Sequence, residues 1–401
     1  MSVTTRPSSR PLARVRGLPD VAKLLAVYVA TRVWGAVFIA RAATEQAPSI
    51  WTGPHSNYFD MAQLWDAQWY KIIAESGYPD GLPVDQLGNV QQNPWAFFPG
   101  FPYTVKAVMA VTGLPFSPAA VALNLVLGAC AVYVVMKVLQ RVAGRRVGLW
   151  GAVLLCAFPA APVLQIGYSE SLALLLLALA TWWLLERRYG WSALAVLALA
   201  LTRPIVAPFA VVVLVHLVVR WRARARARGR EPFPAGQALQ VVGLGLLSAA
   251  SSLLWPALVG LAVGSADAYE RTQAAWRSGG VVQPFHQALG IARLLWGDRG
   301  PWYLALGAVV LVAVVLSPWG RRVGPELQAW TLAYPAYLLA VTEPWTSTFR
   351  YLLMLFPLWA IVAAALRSRW LLAALALVGL WWQVHWIDDL LLFHPPTDFP
   401  P

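Results

Sequence analysis

Residues 191–230 read WSALAVLALA LTRPIVAPFA VVVLVHLVVR WRARARARGR, and this stretch decides the fold. Arg187 and Arg188 precede it and six arginines from Arg220 to Arg230 close it, so both ends belong on the side of a membrane where basic residues accumulate. The apolar run between them is broken by Arg203-Pro204, and proline removes a helix hydrogen bond. The stretch therefore reads as two short helices forming a hairpin. Broken backbone at membrane depth persists only where it lines protein or a wet cavity, which puts Arg203 at the mouth of such a cavity. The arginine run reads as a topology anchor on an anionic inner leaflet, not as a nucleic-acid site.

The remainder of the 401-residue chain extends this reading. Charged residues make up 12% and hydrophobic residues 59%, against roughly a quarter charged in a soluble domain, so the fold class is an all-α polytopic membrane protein. Other apolar runs fall at about 21–40, 118–140, 147–163, 169–186, 237–263, 301–317, 326–342, 349–366 and 370–387. With the hairpin they give about eleven membrane segments, a single membrane domain over 21–387, a disordered basic cytoplasmic N-terminus over 1–20 and an outer tail over 388–401. Ala40-Arg41-Ala42 imitates a signal-cleavage site, but the run before it is long and contains Arg32, so it reads as an uncleaved first span. This topology puts 21 of the 31 basic residues inside, with only Asp20, Glu186, Glu231 and Glu326 of the 18 acids. Carboxylates thus collect on the outer face, and function is expected there, in a multi-pass plasma (inner) membrane protein.

The longest polar region, 41–117, is the first outer loop. Ser56 or Asn57 can cap a helix whose apolar residues recur at 58, 61, 62, 65, 69, 72 and 73, with Gly77 and Pro79 to stop it. Read as one amphipathic helix along the interface, it places Asp66 on a face with Ala62, Trp69, Tyr70 and Ile73 and turns Asp60 away. Asn93 to Pro102 leads into a second juxtamembrane helix ending near Thr112-Gly113. The two helices wall a cavity at the outer face.

Trp65-Asp66-Ala67-Gln68-Trp69-Tyr70-Lys71-Ile72-Ile73-Ala74-Glu75-Ser76-Gly77-Tyr78 resembles the Trp-Asp, Ile-Ala, Gly-Tyr signature of the PIG-V family, the second mannosyltransferase of GPI-anchor assembly and its bacterial relatives. Ala96 to Pro102 is similar to that family's Phe-Phe-Pro stretch, and Tyr168-Ser169-Glu170-Ser171 to its Tyr-Thr-Glu-Ser motif. Leu201 to Pro204, and Arg350-Tyr351 with Phe356-Pro357, resemble later positions in the same order. Trp69-Tyr70 stands where His-Phe is usual, Gly100 follows Phe-Phe-Pro, and Ser169 replaces Thr. The resemblance implies a GT-C fold and inverting transfer of mannose from a polyprenyl-phosphate-mannose donor to a lipid or glycan acceptor, with Asp66 as general base. The residues favour such a donor independently. Gly243-Leu244-Gly245 opens a membrane span and suits helix packing better than a nucleotide.

Arg203 and Arg350 are expected to hold the donor phosphate, since guanidinium offers it bidentate, always-charged donors; the alternative is structural pairing with Glu170 or Glu343. The alternative for Asp66 is a helix-surface carboxylate bonded to a nearby backbone amide. Glu170 is expected to orient the sugar or pair with an arginine, and Tyr168, Trp65, Trp69 and Tyr70 to position substrate. Gly167-Tyr168-Ser169 fails as a nucleophile elbow, because residue 171 is Ser and no His is placed to serve it. Trp51, Trp95, Trp276, Trp296, Trp302, Trp345 and Trp386 read mostly as interfacial belt residues.

His55, His216, His286, His385 and His394 have no ligand spacing. Neither Asp60 with Asp66 nor Asp388-Asp389 forms a tight Asp-x-Asp, so neither metal nor cofactor is expected. Cys130 and Cys156 lie in apolar runs and read as free, buried thiols. A lipid transporter or flippase is the main rival. It would show inverted internal symmetry, which the sequence lacks. A membrane acyltransferase would need a catalytic histidine, and His216 and His385 read as structural residues.

Overall fold

The computed structural model describes residues 18–48, 52, 53, 55–226, 233–277, 283–393 and 401. The basic segment 1–17, residues 394–400 of the tail, His394 among them, Trp51, Arg228, Arg230 and Glu231 lie outside the described residues. Among the described residues the chain is helical, with one isolated bridge between Val84 and Val90.

Five helical stretches are long and apolar enough to cross a membrane: Asp20–Glu45, Phe116–Ala143, Ala235–Val263, His286–Leu316 and Arg369–Leu390. A sixth forms if Thr348–Met354 and Phe356–Ala365, bent by 73° at their junction, count as one span. Glu170–Leu185 and Tyr189–Ala200 are shorter and apolar. Large side chains such as Val29, Val33, Val37, Leu306, Val309, Val310, Leu377 and Val378 point outward from these helices. Exposed apolar surface of this extent marks contact with lipid, and the chain is a multi-pass membrane protein. The charge-based reading of eleven segments exceeds the helices that meet these criteria.

Ion pairs sort to the two ends of the first span. Near its start Asp20 accepts from Arg145 at 2.6 and 3.0 Å, and Arg141 pairs with Glu186 at 2.6 Å. Arg146 caps the end of Phe356–Ala365 through the carbonyls of Ala363, Leu366 and Arg367, as cations do at helix C-termini. Near its other end Arg41 pairs with Asp388. These contacts bring Asp20, Arg141, Arg145, Arg146 and Glu186 to one end of the helical bundle and Arg41 and Asp388 to the other.

The hairpin is present as two helices, Tyr189–Ala200 and Ala207–Arg226, either side of Arg203-Pro204. The expected continuous span 147–163 is corrected: its helix ends at Cys156, and residues 157–169 form a buried irregular segment with one short turn at Ala161–Gln165. Buried carbonyls need partners, and side chains from three other helices supply them. Arg32 donates to Ala161 O and, at 3.2 Å, to Cys156 O. Gln383 donates to Cys156 O and Phe158 O at 3.1 and 3.0 Å. Asn124 donates to Ile166 O and, at 2.8 Å, to Tyr168 O. This polar scaffold delivers Tyr168, Ser169 and Glu170 to the site.

Candidate functional site

The first loop builds the site in two steps. Asn57 caps a short turn, Tyr58–Met61: its side chain accepts from Phe59 N at 2.8 Å, while Asp60 accepts from Asn57 N at 2.9 Å. Asp60 is thereby spent on capping. The single amphipathic helix expected here is corrected, because it breaks between Ala62 and Trp65 and a new helix, Asp66–Ser76, starts at Asp66. Gly167 N donates to Ala62 O at 2.8 Å and Tyr168 Oη to Leu64 O at 3.3 Å, so carbonyls that would continue the helix are taken by the irregular segment. Trp65 pays in backbone strain with φ +57°, a region that non-glycine residues occupy only when their surroundings impose it. Gly77, at φ +83°, ends the helix as the sequence indicates.

The second juxtamembrane helix runs Gly100–Thr112 and stops at Gly113. Its start docks on the hairpin break: Gly100 N donates to Leu201 O at 2.7 Å. A Cβ at Gly100 would stand 2.5 Å from Thr202 Oγ1 and 2.8 Å from Leu201 O, which explains glycine after Phe-Phe-Pro.

At the centre is a cluster of four charges. Glu170 is fully buried and its Oε1 accepts from Arg350 at 3.1 Å and pairs with Arg203, while its Oε2 has no partner. Arg350 also pairs with Asp66 Oδ2 at 2.6 Å. The side chains of Arg203 and Arg350 are 11% and 5% exposed and that of Asp66 is 23% exposed, so Asp66 is the acid of this cluster that meets solvent. The Tyr351 ring lies 4.9 Å from the Arg203 guanidinium and 5.1 Å from that of Arg350, and Tyr168 lies 5.0 Å from Arg350. Tyr70 donates to Ser169 Oγ at 3.0 Å. Its burial pushes the phenol well above its ordinary range, so it stays protonated.

Two chambers of about 550 Å³ each meet at Asp66. The first is walled by the first loop and the ends of spans: Gln46, Trp65, Gln68, Trp69, Gln92, Gln273, Ser347, Arg350 and Phe393. The second is walled by Tyr70, Arg203, Pro204, Ile205, Pro256, Glu270, Arg277, Tyr337, Leu338, Val341 and Glu343, with the hairpin break and the helix Pro325–Val341 contributing three each. Asp66, Ala96, Phe97, Gln273, Trp276 and Tyr351 border both. Trp69 stacks on Phe97 at 5.8 Å and meets Trp276 edge-on at 5.2 Å.

The structure therefore gathers Asp66, Glu170, Arg203, Arg350, Tyr70, Trp65 and Trp69 at one place. Tyr168 is fully buried and outside both chamber linings; it meets the site through the Arg350 guanidinium and the Leu64 carbonyl. The structural pairing of both arginines with Glu170 is present. Gln273, Trp276 and Arg277 were not singled out as site residues by sequence; the signal was the polar stretch between the spans at 237–263 and 301–317, where a short helix Ala268–Ala274 forms. Trp95 and Trp386 are buried rather than interfacial, and Trp95 packs with Tyr78 and Trp255 in a separate cluster. Cys130 is exposed, against the expectation of burial, and Cys156 is buried. His216 is structural, held between Glu326 at 2.9 Å and Tyr189 at 3.3 Å. Among the described residues no three His, Cys, Asp or Glu side chains are grouped to hold a metal ion.

No protein-family model matches the chain, and no curated protein matches it. Among solved structures it is similar to ArnT from Cupriavidus metallidurans bound to undecaprenyl phosphate, with 16% identity and a TM-score of 0.49 over 88% of this chain and 62% of that one. It is also similar to the Archaeoglobus fulgidus oligosaccharyltransferase in complex with zinc and sulfate, with 12% identity and a TM-score of 0.44 over 90% and 52%. The same enzyme tethered to an acceptor peptide gives 14% identity and 0.43 over 91% and 54%. The chain spans between half and two thirds of the length of these structures. At these scores the likeness assigns no chemistry, which rests on the site's own residues.

Proposed function

We propose that the chain is a GT-C-type membrane glycosyltransferase that transfers mannose from polyprenyl-phosphate-mannose to a lipid or glycan acceptor with inversion. The observation that carries this reading is the placement of one solvent-touching carboxylate, Asp66, at the junction of two chambers, paired with the buried Arg350 and linked through Glu170 to Arg203. An acceptor hydroxyl in the first chamber loses its proton to Asp66 as its oxygen bonds to the anomeric carbon. The bond from that carbon to the phosphate oxygen breaks with its electron pair, and polyprenyl phosphate leaves. General-base help of this kind is worth about 10² to 10⁴ in rate. Arg203 borders the second chamber, where the phosphate would sit, and Arg277 faces the same space. Arg350 holds Asp66 in place and adds to the positive field.

The division of the chambers follows from their walls. The second is bordered by the hairpin break and the helix Pro325–Val341, so a lipid tail can lie against apolar helix beside it. The first is bordered by loops and suits a hydrophilic partner. The charge distribution supports an active site on the outer face of the plasma (inner) membrane, with the N-terminus cytoplasmic. No cofactor or metal enters the step. Purified protein in lipid, given radiolabelled polyprenyl phosphomannose and a membrane lipid extract, should move label to a new species. Donor bound and translocated without transfer would instead indicate a flippase.

A further inference from the structure

We infer that the first chamber recognises an uncharged, hydroxyl-rich sugar of the acceptor, and not a phosphate or carboxylate; this rests on the transferase reading. Among the described residues the charged side chains in its lining are Asp66 and Arg350, and these neutralise each other at 2.6 Å. An ionised ligand group entering there would be desolvated with no counter-charge to meet it, which is costly.

What the chamber offers instead is neutral hydrogen bonding. The side-chain amides of Gln68, Gln92 and Gln273 line it, those of Gln68 and Gln273 on partly buried residues. Each carries both donors and an acceptor, the combination that matches a hydroxyl, itself donor and acceptor. Trp276 adds a buried indole N–H with no partner among the described residues. A buried polar group left unpaired calls for an explanation, and a ligand oxygen in the chamber supplies one. Trp65 and Trp69 give an apolar surface for the C–H face of a sugar ring. The volume, about 550 Å³, lies within the range of small-molecule sites. A site built to hydrogen-bond hydroxyls also discriminates strongly against ligands lacking them.

The test uses the full-length protein in lipid nanodiscs. Binding of neutral methyl oligomannosides is measured without donor by saturation-transfer NMR, beside the same oligosaccharides carrying a 6-phosphate or a uronate. The neutral probes should bind saturably, at least tenfold tighter than the charged ones. Gln273→Leu and Gln68→Leu should each weaken that binding roughly fivefold, the worth of a lost neutral hydrogen bond, and Trp276→Phe likewise. In transfer assays Gln68→Leu, which alters the first chamber alone, should raise KM for the acceptor and leave KM for the donor unchanged. Equal or tighter binding of the charged probes, absence of neutral binding, or variants that move only the donor KM would overturn the inference. Neutral binding with the expected variant pattern but no transfer from any lipid-phosphate sugar would leave the subsite standing and sink the transferase reading.

Discussion

Replacing Asp66 with Asn separates chemistry from architecture, because the cluster around it distributes its charges unevenly. The substitution keeps the side chain's size and removes its basicity. Arg350 loses the Asp66 partner at 2.6 Å but retains Glu170 at 3.1 Å, so no buried cation is orphaned. With Asp66 about a quarter exposed and Arg350 still paired with Glu170, the lost pair should cost less than the ~3–5 kcal/mol of breaking a fully buried one. Loss of general-base catalysis should lower transfer by about 10² to 10⁴, roughly 3–5 kcal/mol of barrier. The assay measures label transfer from polyprenyl phosphomannose and thermal unfolding on the same nanodisc preparation. A variant that keeps more than a tenth of wild-type transfer would refute Asp66 as the base. One that unfolds as easily as a Glu170 variant would show that the carboxylate is a structural member of the cluster.

Glu170→Gln should do the reverse. It removes the one carboxylate that Arg203 pairs with and half of Arg350's compensation, and breaking such a buried pair costs about 3–5 kcal/mol, read as earlier unfolding; an unchanged unfolding curve would contradict the pairing. Arg32→Met removes the donor to the Ala161 carbonyl and one of two to the Cys156 carbonyl, which keeps Gln383, and an unpaired buried group costs about 1–3 kcal/mol; the detergent-extracted variant should unfold earlier, and equal stability would show that the irregular segment does not need Arg32. Gly100→Ala forces a Cβ against Leu201 O, an overpacking cost of about 1–3 kcal/mol. Transfer should fall about tenfold or more, and adding Thr202→Ala should not restore it, since the Leu201 carbonyl remains.

Much of this was legible in sequence where local signals sufficed. Gly77 and Gly113 stop their helices where composition says they should, and Arg203-Pro204 marks the break in the hairpin. Asp66 emerged as the carboxylate among aromatics, but by a helical-wheel argument whose premise fails, since the helix does not run through Ala62 to Asp66. That break arises from bonds to Gly167 and Tyr168, about a hundred residues away, and local periodicity cannot encode it. The Glu170 cluster has the same character: Arg350 is 180 residues from its partner. The helix 147–163 was misjudged for a related reason. Its apolar composition is continuous, while the donors that let the backbone unwind belong to Arg32, Asn124 and Gln383 on other helices. Trp276 read as a belt residue because a tryptophan's sequence neighbourhood does not distinguish a membrane interface from a cavity wall.

The shared border at Asp66, Trp276 and Tyr351 also bears on inhibition. A molecule joining a neutral glycan mimic to a short lipid phosphonate would reach both chambers without crossing intact protein. Its second half would then bind at the millimolar effective concentration of a short tether, so two individually weak fragments should yield a ligand tighter than either by orders of magnitude.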